Sequence, residues 1–182
     1  MKKLLGIALA SAAAGLCLSA LKKASDEQTV ELSPVKRSSP NKKAILVVSF
    51  GTSYAQTREK TIGAIEEDFR IAFPEYTIRR AFTSKMIIKK LRERDGIEVD
   101  TVAQALEKLE AEGYSTVICQ PTHVMGGFEF DDVKREVENW KGRFDHIACG
   151  WPLLTSSEDY EQVTEALVQE FSDIPSDAAL VL

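Results

Sequence analysis

The amino-acid sequence predicts an α/β protein whose open, mostly parallel sheet carries helices on both faces. Short aliphatic runs without polar alternation are typical of strands that are buried on both sides in a parallel sheet. Such runs alternate along the chain with segments in which apolar residues recur every three or four positions, as on one face of a helix. This regular alternation of strand and helix predicts the fold class.

The first four elements are predicted between residues 43 and 94. Lys43–Ser49 is a continuous aliphatic strand, and a helix follows it from about Thr57 to Ala72. Pro74 stops this helix because its ring cannot continue the hydrogen-bond pattern. Tyr76–Phe82 is predicted as the second strand and Met86–Arg94 as a short helix that ends at an Asp-Gly pair.

The next predicted element is a helix whose start and end are both marked by residues typical of helix ends. Asp100 and Thr101 precede its apolar stripe and are expected to cap the first turn, and Gly113 closes it. Ser115–Gln120 is predicted as the third strand. After a loop, a helix with acidic residues in its first turn is predicted from Glu129 to about Trp140.

The last part of the sequence predicts a repeat. Phe144–Cys149 is predicted as the fourth strand and Ser157–Phe171 as a further helix. Asp177–Leu182 then resembles the opening strand at Lys43–Val48. This similarity predicts that the chain holds the first of two similar halves, and an ordinary C-terminal strand is the alternative.

The first forty residues differ in composition from the rest of the chain. They carry a net charge of +3, whereas residues 41–182 carry −8. Residues 1–21 begin with a basic pair and continue as an apolar run, which predicts a signal peptide or a membrane anchor. Residues 22–42 are predicted as a polar linker, and residues 43–182 as the folded domain. We expect an exported protein, either periplasmic or anchored so that it faces the periplasm, with membrane contact only through the leader.

The overall composition excludes other classes of function. The chain has 182 residues, 44% of them hydrophobic and 28% charged, as in a globular protein of one ordinary domain. Its net charge of −5 leaves no basic surplus to contact phosphates, so no nucleic-acid partner is expected. Cys119 and Cys149 both close predicted strands and are expected to be unpaired core residues, with a disulfide as the alternative.

Candidate site residues lie in the loops beyond the carboxyl ends of the strands, where open α/β sheets bind ligands. The turn after the first strand holds Ser49, Gly51, Thr52 and Ser53, whose hydroxyl and backbone N–H groups suit an anion such as phosphate or carboxylate. Helix capping by Thr52 or Ser53 is the alternative. Arg80, near the end of the second strand, is a candidate partner for acidic substrate groups or an exposed strand charge.

The two histidines lie in different settings. His123 follows the third strand, and its imidazole is a candidate metal ligand that shares a site with Glu129. One His and one Glu do not complete a metal site, since most sites have at least three protein ligands. Packing of His123 within its loop is therefore the alternative. His146 lies inside the fourth strand and is expected to be a packed or edge-strand residue.

Four groups of short strings occur in a fixed order: Ile45–Tyr54, then Arg80–Ser84 with Ile87 and Leu91, then Arg94–Ile97 with Asp100–Thr101, and finally Gln120–His123. Together they resemble the anaerobic-type sirohydrochlorin cobaltochelatase family. Members of this family are class II chelatases, related in fold to ferrochelatases. The resemblance extends from about Lys43 to Leu182 without large gaps.

The resemblance implies a chelatase-like fold of two similar α/β halves that face each other across a cleft. Sirohydrochlorin, a tetrapyrrole with eight carboxylates, would bind in that cleft during anaerobic cobalamin biosynthesis. Co²⁺, or alternatively Fe²⁺, would be the substrate ion that is inserted without ATP. Further metal-binding histidines would lie in the second half, and a homo-oligomer of half-length chains is an alternative way to rebuild the cleft.

The resemblance also implies roles for the candidate residues. Carboxylate binding would belong to the turn at Ser49–Tyr54 and to Arg80 with Thr83 and Ser84. Metal or proton handling would belong to His123 with Glu129 behind it. The predicted leader departs from a family whose known pathway is cytoplasmic. An exported, non-catalytic protein that binds a tetrapyrrole, haem or a metal, with His123 as axial ligand, is therefore the second hypothesis, and an inactive fragment is the third.

Overall fold

Four parallel strands form one open sheet in the computed structural model, which describes residues 41–171. In chain order the strands are β1 (Lys43–Ser49), β2 (Thr77–Phe82), β3 (Thr116–Pro121) and β4 (His146–Cys149). Their order across the sheet is β2–β1–β3–β4, and every neighbouring pair is parallel. The predicted α/β class with a parallel sheet is confirmed.

Helices connect the strands close to the predicted bounds. The first helix, α1 (Ala55–Arg58), continues through a π-helical turn (Glu59–Gly63) into α2 (Ala64–Ala72). The others are α3 (Lys85–Asp95), α4 (Val102–Ala111), α5 (Phe128–Asn139) and α6 (Ser157–Glu170). Helical structure thus begins at Ala55, two residues before the predicted start, and β4 begins at His146 instead of Phe144.

The aliphatic run of β1 is continuous because both faces of this central strand are covered. Ala44, Leu46 and Val48 pack with apolar residues of α4 and α5, whereas Ile45 and Val47 pack with α2. All five side chains are essentially inaccessible to solvent. Complete burial of an aliphatic side chain of this size stabilises a fold by about 1.5–3 kcal/mol, so β1 anchors both layers of the core.

The cap of α4 is formed by one of the two residues predicted for it. The Thr101 hydroxyl accepts from the Gln104 N–H, and the Gln104 side chain accepts from the Thr101 N–H, which makes a reciprocal capping box. The Asp100 carboxylate instead accepts from Lys108, while the Asp100 carbonyl accepts from the Phe82 N–H at 2.9 Å. Asp100 therefore joins α4 to the end of β2.

The two cysteines of the described chain are neighbours across β3 and β4, and both thiols are free. Burial raises the pKa of the Cys119 thiol well above its usual value and raises the pKa of Cys149 to about 12. Neutral thiols of this kind are unreactive. The expectation of unpaired core cysteines is confirmed, and His146 lies exposed on the edge strand β4, as predicted.

Several predictions fall outside the described residues. The leader at 1–21, most of the linker at 22–42 and the strand at 177–182 cannot be compared with the structure, so they stay predictions. Within residues 41–171 no helix combines the length and the apolar character needed to cross a membrane.

Candidate functional site

The loop that follows β1 is fastened to the ends of both neighbouring strands. The Thr83 N–H donates to the Ser49 carbonyl at 2.9 Å, and the Ser84 N–H donates to the Phe50 carbonyl at 3.3 Å. From the other side, the Thr122 hydroxyl donates to the Ser49 hydroxyl oxygen at 2.8 Å. Ser49 is 2% exposed, so it joins three strand ends at the floor of the carboxyl edge.

Gly51 allows this loop to lie close to the sheet. Its φ is +97°, a conformation that favours glycine, and a Cβ at this position would lie 2.5 Å from the Phe82 ring. Thr52 accepts from the Tyr54 N–H within the loop. The capping residue of α1 is Tyr54, which makes no side-chain cap, so the alternative that Thr52 or Ser53 caps this helix is wrong.

Two arginines bind the carbonyl groups of the same loop. Arg58 donates through Nη1 to the Thr52 carbonyl at 3.3 Å, and Arg94 donates through Nη2 to the Ser53 carbonyl. Ser53 itself is only 7% exposed. Sequence analysis did not select Arg58, and the only signal for it was its position four residues beyond the loop.

Arg80 lies away from these loops. Its Nε and Nη2 each donate to Glu66 of α2 at 2.6 Å, and Glu66 is 3% exposed. Arg80 pairs in register with Val47, on the face of the sheet that α2 covers. The structure therefore does not bring Arg80 together with the other candidate residues, and its role in substrate binding stays a prediction.

The structure does bring His123, Glu129 and Thr83 together. The Nε2 atom of His123 lies 3.9 Å from a carboxylate oxygen of Glu129, and the Thr83 hydroxyl donates to the other oxygen at 3.1 Å. Thr83 follows β2, whereas His123 and Glu129 lie on either side of the loop after β3. Ser84 is a helix cap, since its hydroxyl accepts from the Ile87 N–H at the start of α3.

The imidazole of His123 has no hydrogen-bond partner in the described part of the chain. Both ring nitrogens are buried and unpartnered, although Glu129 lies nearby. Burial lowers the pKa of His123, and the negative charge of Glu129 opposes this shift. The ring is therefore neutral at pH 7 and keeps a lone pair that can bind a metal ion or a proton. Buried polar groups without partners are rare in native proteins and often mark functional sites.

Gln120 positions the loop that carries His123. This residue is fully buried, and its Nε2 donates to the carbonyls of Pro121 at 2.8 Å and Trp151 at 3.1 Å. Gly150 leaves room for it, because a Cβ there would overlap the Gln120 amide oxygen. The Leu153 N–H also donates to the His123 carbonyl at 3.0 Å. The loops after β3 and β4 thus form one connected unit, a role that sequence analysis did not assign to Gln120.

Exposed apolar side chains surround this edge of the sheet. Within residues 41–171, seven of the ten exposed large apolar side chains lie on the loops or helix starts that follow the four strands. We call them the apolar rim: Phe50, Tyr54, Met86, Val124, Met125, Phe128 and Trp151. Phe128 is the most exposed of them, at 92%. A concentration of exposed apolar surface of this kind indicates a binding surface.

The metal-binding capacity of this edge is limited to two side chains. His123 and Glu129 offer one nitrogen and one carboxylate, and residues 41–171 contain no group of three or more His, Cys, Asp or Glu side chains that could hold a metal ion. A complete coordination sphere would therefore need further donors. The pair can instead receive a proton or transfer an ion to another ligand.

Comparison with known proteins gives a consistent result. A family model described as cobalt chelatase (CbiK) matches residues 43–182. A sirohydrochlorin cobaltochelatase of Salmonella typhimurium is 49% identical over 133 residues, which are 73% of this chain and 50% of that protein. The sirohydrochlorin cobaltochelatase CbiKC of Nitratidesulfovibrio vulgaris is 33% identical over 139 residues, 75% of this chain and 49% of that protein. The chain spans about half the length of these curated relatives.

Proposed function

The chain belongs to the cobalt chelatase (CbiK) family, and we propose that it contributes one half of a sirohydrochlorin cobaltochelatase site. The reaction is the insertion of Co²⁺, as substrate ion, into a tetrapyrrole without ATP. The observation that carries this proposal is the buried, unpartnered imidazole of His123 beside Glu129 at the carboxyl edge of the sheet. The similarity to two sirohydrochlorin cobaltochelatases supports the choice of substrate.

The chemistry of insertion requires a base. Two pyrrole N–H protons leave the macrocycle as one divalent ion enters, so charge is conserved while two protons must be accepted. The neutral imidazole of His123 is suited to accept one of them, and the other would pass to solvent water. The Glu129 carboxylate at 3.9 Å would stabilise the resulting imidazolium. Thr83 orients that carboxylate through its hydrogen bond. His123 and Glu129 are also suited to hold the incoming Co²⁺ briefly.

The surroundings of His123 suit a large, flat and acidic substrate. The apolar rim offers contacts to the face or edge of a macrocycle, and the loop after β1 offers the partly exposed hydroxyl of Thr52 to a peripheral carboxylate. Residues 41–182 are strongly acidic overall, so a polycarboxylate must be attracted by local cations and not by net charge.

We propose that a second α/β half covers the apolar rim and completes the cleft. The proposal is supported by the exposure of the rim and by the fact that the chain spans about half of its relatives. The second half would come either from a longer polypeptide or from a second copy of this chain. Sedimentation of the full chain with and without sirohydrochlorin would distinguish the two sources, because only the second source predicts a dimer.

The experiment that tests the proposed function is metal insertion followed by the absorbance of sirohydrochlorin. We expect the full chain to accelerate insertion of Co²⁺, and His123→Ala to lower the rate by at least about 100-fold, as for loss of a general base. His146→Ala is the matched control, because His146 is exposed on β4 and distant in sequence from the site. Unchanged activity of His123→Ala would remove this residue from the mechanism.

A second candidate function is supported by the same pair of donors. Residues 41–171 offer His123 and Glu129 at this edge but no group of three metal-binding side chains, and an exported protein that binds haem or another metallated tetrapyrrole through His123 would need no complete chelatase site. Export is proposed from the predicted leader at residues 1–21. Titration with haem would test this function, since an axial imidazole shifts the haem absorbance and His123→Ala would abolish that shift. Fractionation of cells that express the full chain would test export.

A further inference from the structure

Arg58 is a buried cation without an anionic partner. It is 9% exposed, and no carboxylate of residues 41–171 lies within 4.0 Å of it, although six of the other seven described arginines form an ion pair. The remaining one, Arg92, is exposed on α3. A buried charge costs free energy unless a partner compensates for it, so an unpaired guanidinium at this depth requires an explanation.

The guanidinium of Arg58 is held in place but not saturated. Nη1 donates to the Thr52 carbonyl at 3.3 Å, which fixes the group against the loop after β1. The other guanidinium nitrogens make no hydrogen bond to any of residues 41–171. A π-helical turn, a feature frequent at functional sites, begins at the next residue. Several N–H donors of Arg58 thus remain available to a ligand.

The carboxylate of Asp95, which lies near Arg58, is already bound by another arginine. The pKa of Asp95 is lowered, first by the hydrogen bond from Arg94 and further by the charges of Arg94, Arg58 and Lys90. Three cations therefore surround one carboxylate, and that carboxylate already binds Arg94. Asp95 therefore influences Arg58 only from a distance and does not pair with it.

The corner around Arg58 also adjoins apolar surface. Phe50 and Tyr54, at the two ends of the loop that Arg58 contacts, are 49% and 69% exposed. A ligand that fits here combines an apolar body with a carboxylate at its periphery. This combination describes a tetrapyrrole with acidic side chains.

We propose that Arg58 binds one peripheral carboxylate of the tetrapyrrole substrate and thereby fixes the orientation of the macrocycle relative to His123. This inference rests on the proposed function and extends it with a substrate-binding residue. Arginine is suited to the task because its planar fork can form two parallel hydrogen bonds with one carboxylate. The Thr52 carbonyl positions the fork.

The test compares two probes on the full chain, sirohydrochlorin and its octamethyl ester, which keeps the macrocycle and lacks the charges. We expect Arg58→Gln to weaken the binding of sirohydrochlorin about tenfold, which corresponds to about 1.4 kcal/mol, and to leave the binding of the ester unchanged. Arg58→Lys should give an intermediate loss, because it keeps the charge but not the fork. Arg92→Gln, which removes the same charge from an exposed position, should bind both probes like the wild type.

The outcomes separate this inference from the proposed function. Equal weakening of both probes by Arg58→Gln would indicate a structural role and overturn the inference, as would wild-type binding of both. If Arg58→Gln does not fold, the affinity of Arg58→Lys for sirohydrochlorin is measured at several salt concentrations instead. A wild-type affinity of this variant at every salt concentration would overturn the inference. If the wild type binds neither probe, the proposed function fails and the inference falls with it.

Discussion

The loops after β1 and β3 lie side by side at the carboxyl edge of the sheet, but they differ in how far their polar groups are hydrogen-bonded. The backbone of the first loop is held by Thr83, Ser84, Arg58 and Arg94. The second loop is held through its backbone by the loop that follows β4, but its histidine has two buried nitrogens without partners among residues 41–171. The first loop therefore acts as a rigid frame, and the second presents a side chain whose hydrogen-bonding capacity is reserved for a ligand.

The same contrast extends to the two sides of the molecule. On the β1–β2 side, Arg80 and the buried Glu66 form a bidentate ion pair. On the β3–β4 side, α6 has no buried residue and depends on its N-terminal cap. The helix α6 is therefore packed less tightly than α2, which buries Phe69, and this difference can be tested by substitution.

The largest effect is expected for Gly51→Ala, in the rigid loop. The substitution adds a Cβ 2.5 Å from the Phe82 ring and forces alanine into a φ of +97°, so we expect a loss of about 4 kcal/mol in the free energy of unfolding. Gly113→Ala is the matched control: its φ is +80° but no atom lies within 4 Å of the added Cβ, and it should cost about 1 kcal/mol. Urea denaturation measures both, and equal losses would show that Phe82 does not restrict this loop.

A loss of about 3 kcal/mol is expected for Arg80→Ala, because the substitution leaves the buried Glu66 without its bidentate partner. Arg79→Ala removes the adjacent, exposed arginine and its ion pair with Glu112, and should cost less than about 1 kcal/mol. The double variant Arg80→Met, Glu66→Leu should recover most of the stability, and its affinity for sirohydrochlorin then tests the predicted substrate role of Arg80. A cost for Arg80→Ala no greater than that for Arg79→Ala would contradict the pairing.

The fold could be predicted from the sequence because its signals are local. The aliphatic run at Lys43–Ser49 and the helix-ending Gly96 each act within a few residues, and the elements accordingly form within about two residues of their predicted bounds. The start of α1 differs by two residues, because Tyr54 provides the extended backbone of an N-cap without any capping side chain to mark it.

The candidate site could be predicted only in part, because its geometry depends on contacts between distant segments. The location of His123 and Glu129 followed from the position of the third strand. The partner of Arg80 could not be predicted in this way, because the alternation of residues along β2 does not reveal that a carboxylate of α2 faces Arg80. The role of Gln120 was equally hidden, since it depends on the carbonyl of Trp151, which lies 31 residues later.

A small effect of opposite sign is expected for His123→Leu. Because the imidazole is buried without partners, an apolar side chain of similar size should raise the free energy of unfolding by about 0.5–1 kcal/mol while metal insertion is lost. The pKa of His123 is lowered in the folded state, so the unfolded chain binds more protons below about pH 6.5. The advantage of His123→Leu should therefore grow as the pH falls from 7.5 to 5. An advantage that is constant over this range would contradict the lowered pKa.

The effect of Asp159→Asn should be of similar size, destabilising, and confined to the β3–β4 side. Burial alone would raise the pKa of Asp159, but hydrogen bonds from Thr155 and Ser156 hold it at about 2. The folded-state pKa is thus below the unfolded value of about 3.9, so the stabilisation is complete above that pH and disappears as the pH falls to about 2. For this partly exposed cap we expect a difference of about 1 kcal/mol at pH 7 and none near pH 2.

Amide hydrogen exchange at pH 7 measures which helices lose protection in the Asp159→Asn variant. Since α6 has no buried residue, its amides should lose protection in the variant while those of α2, which packs on the sheet through Phe69, keep theirs. Equal loss in both helices would mean that α6 is coupled to the core as strongly as α2, and the contrast between the two sides of the sheet would then rest on His123 alone.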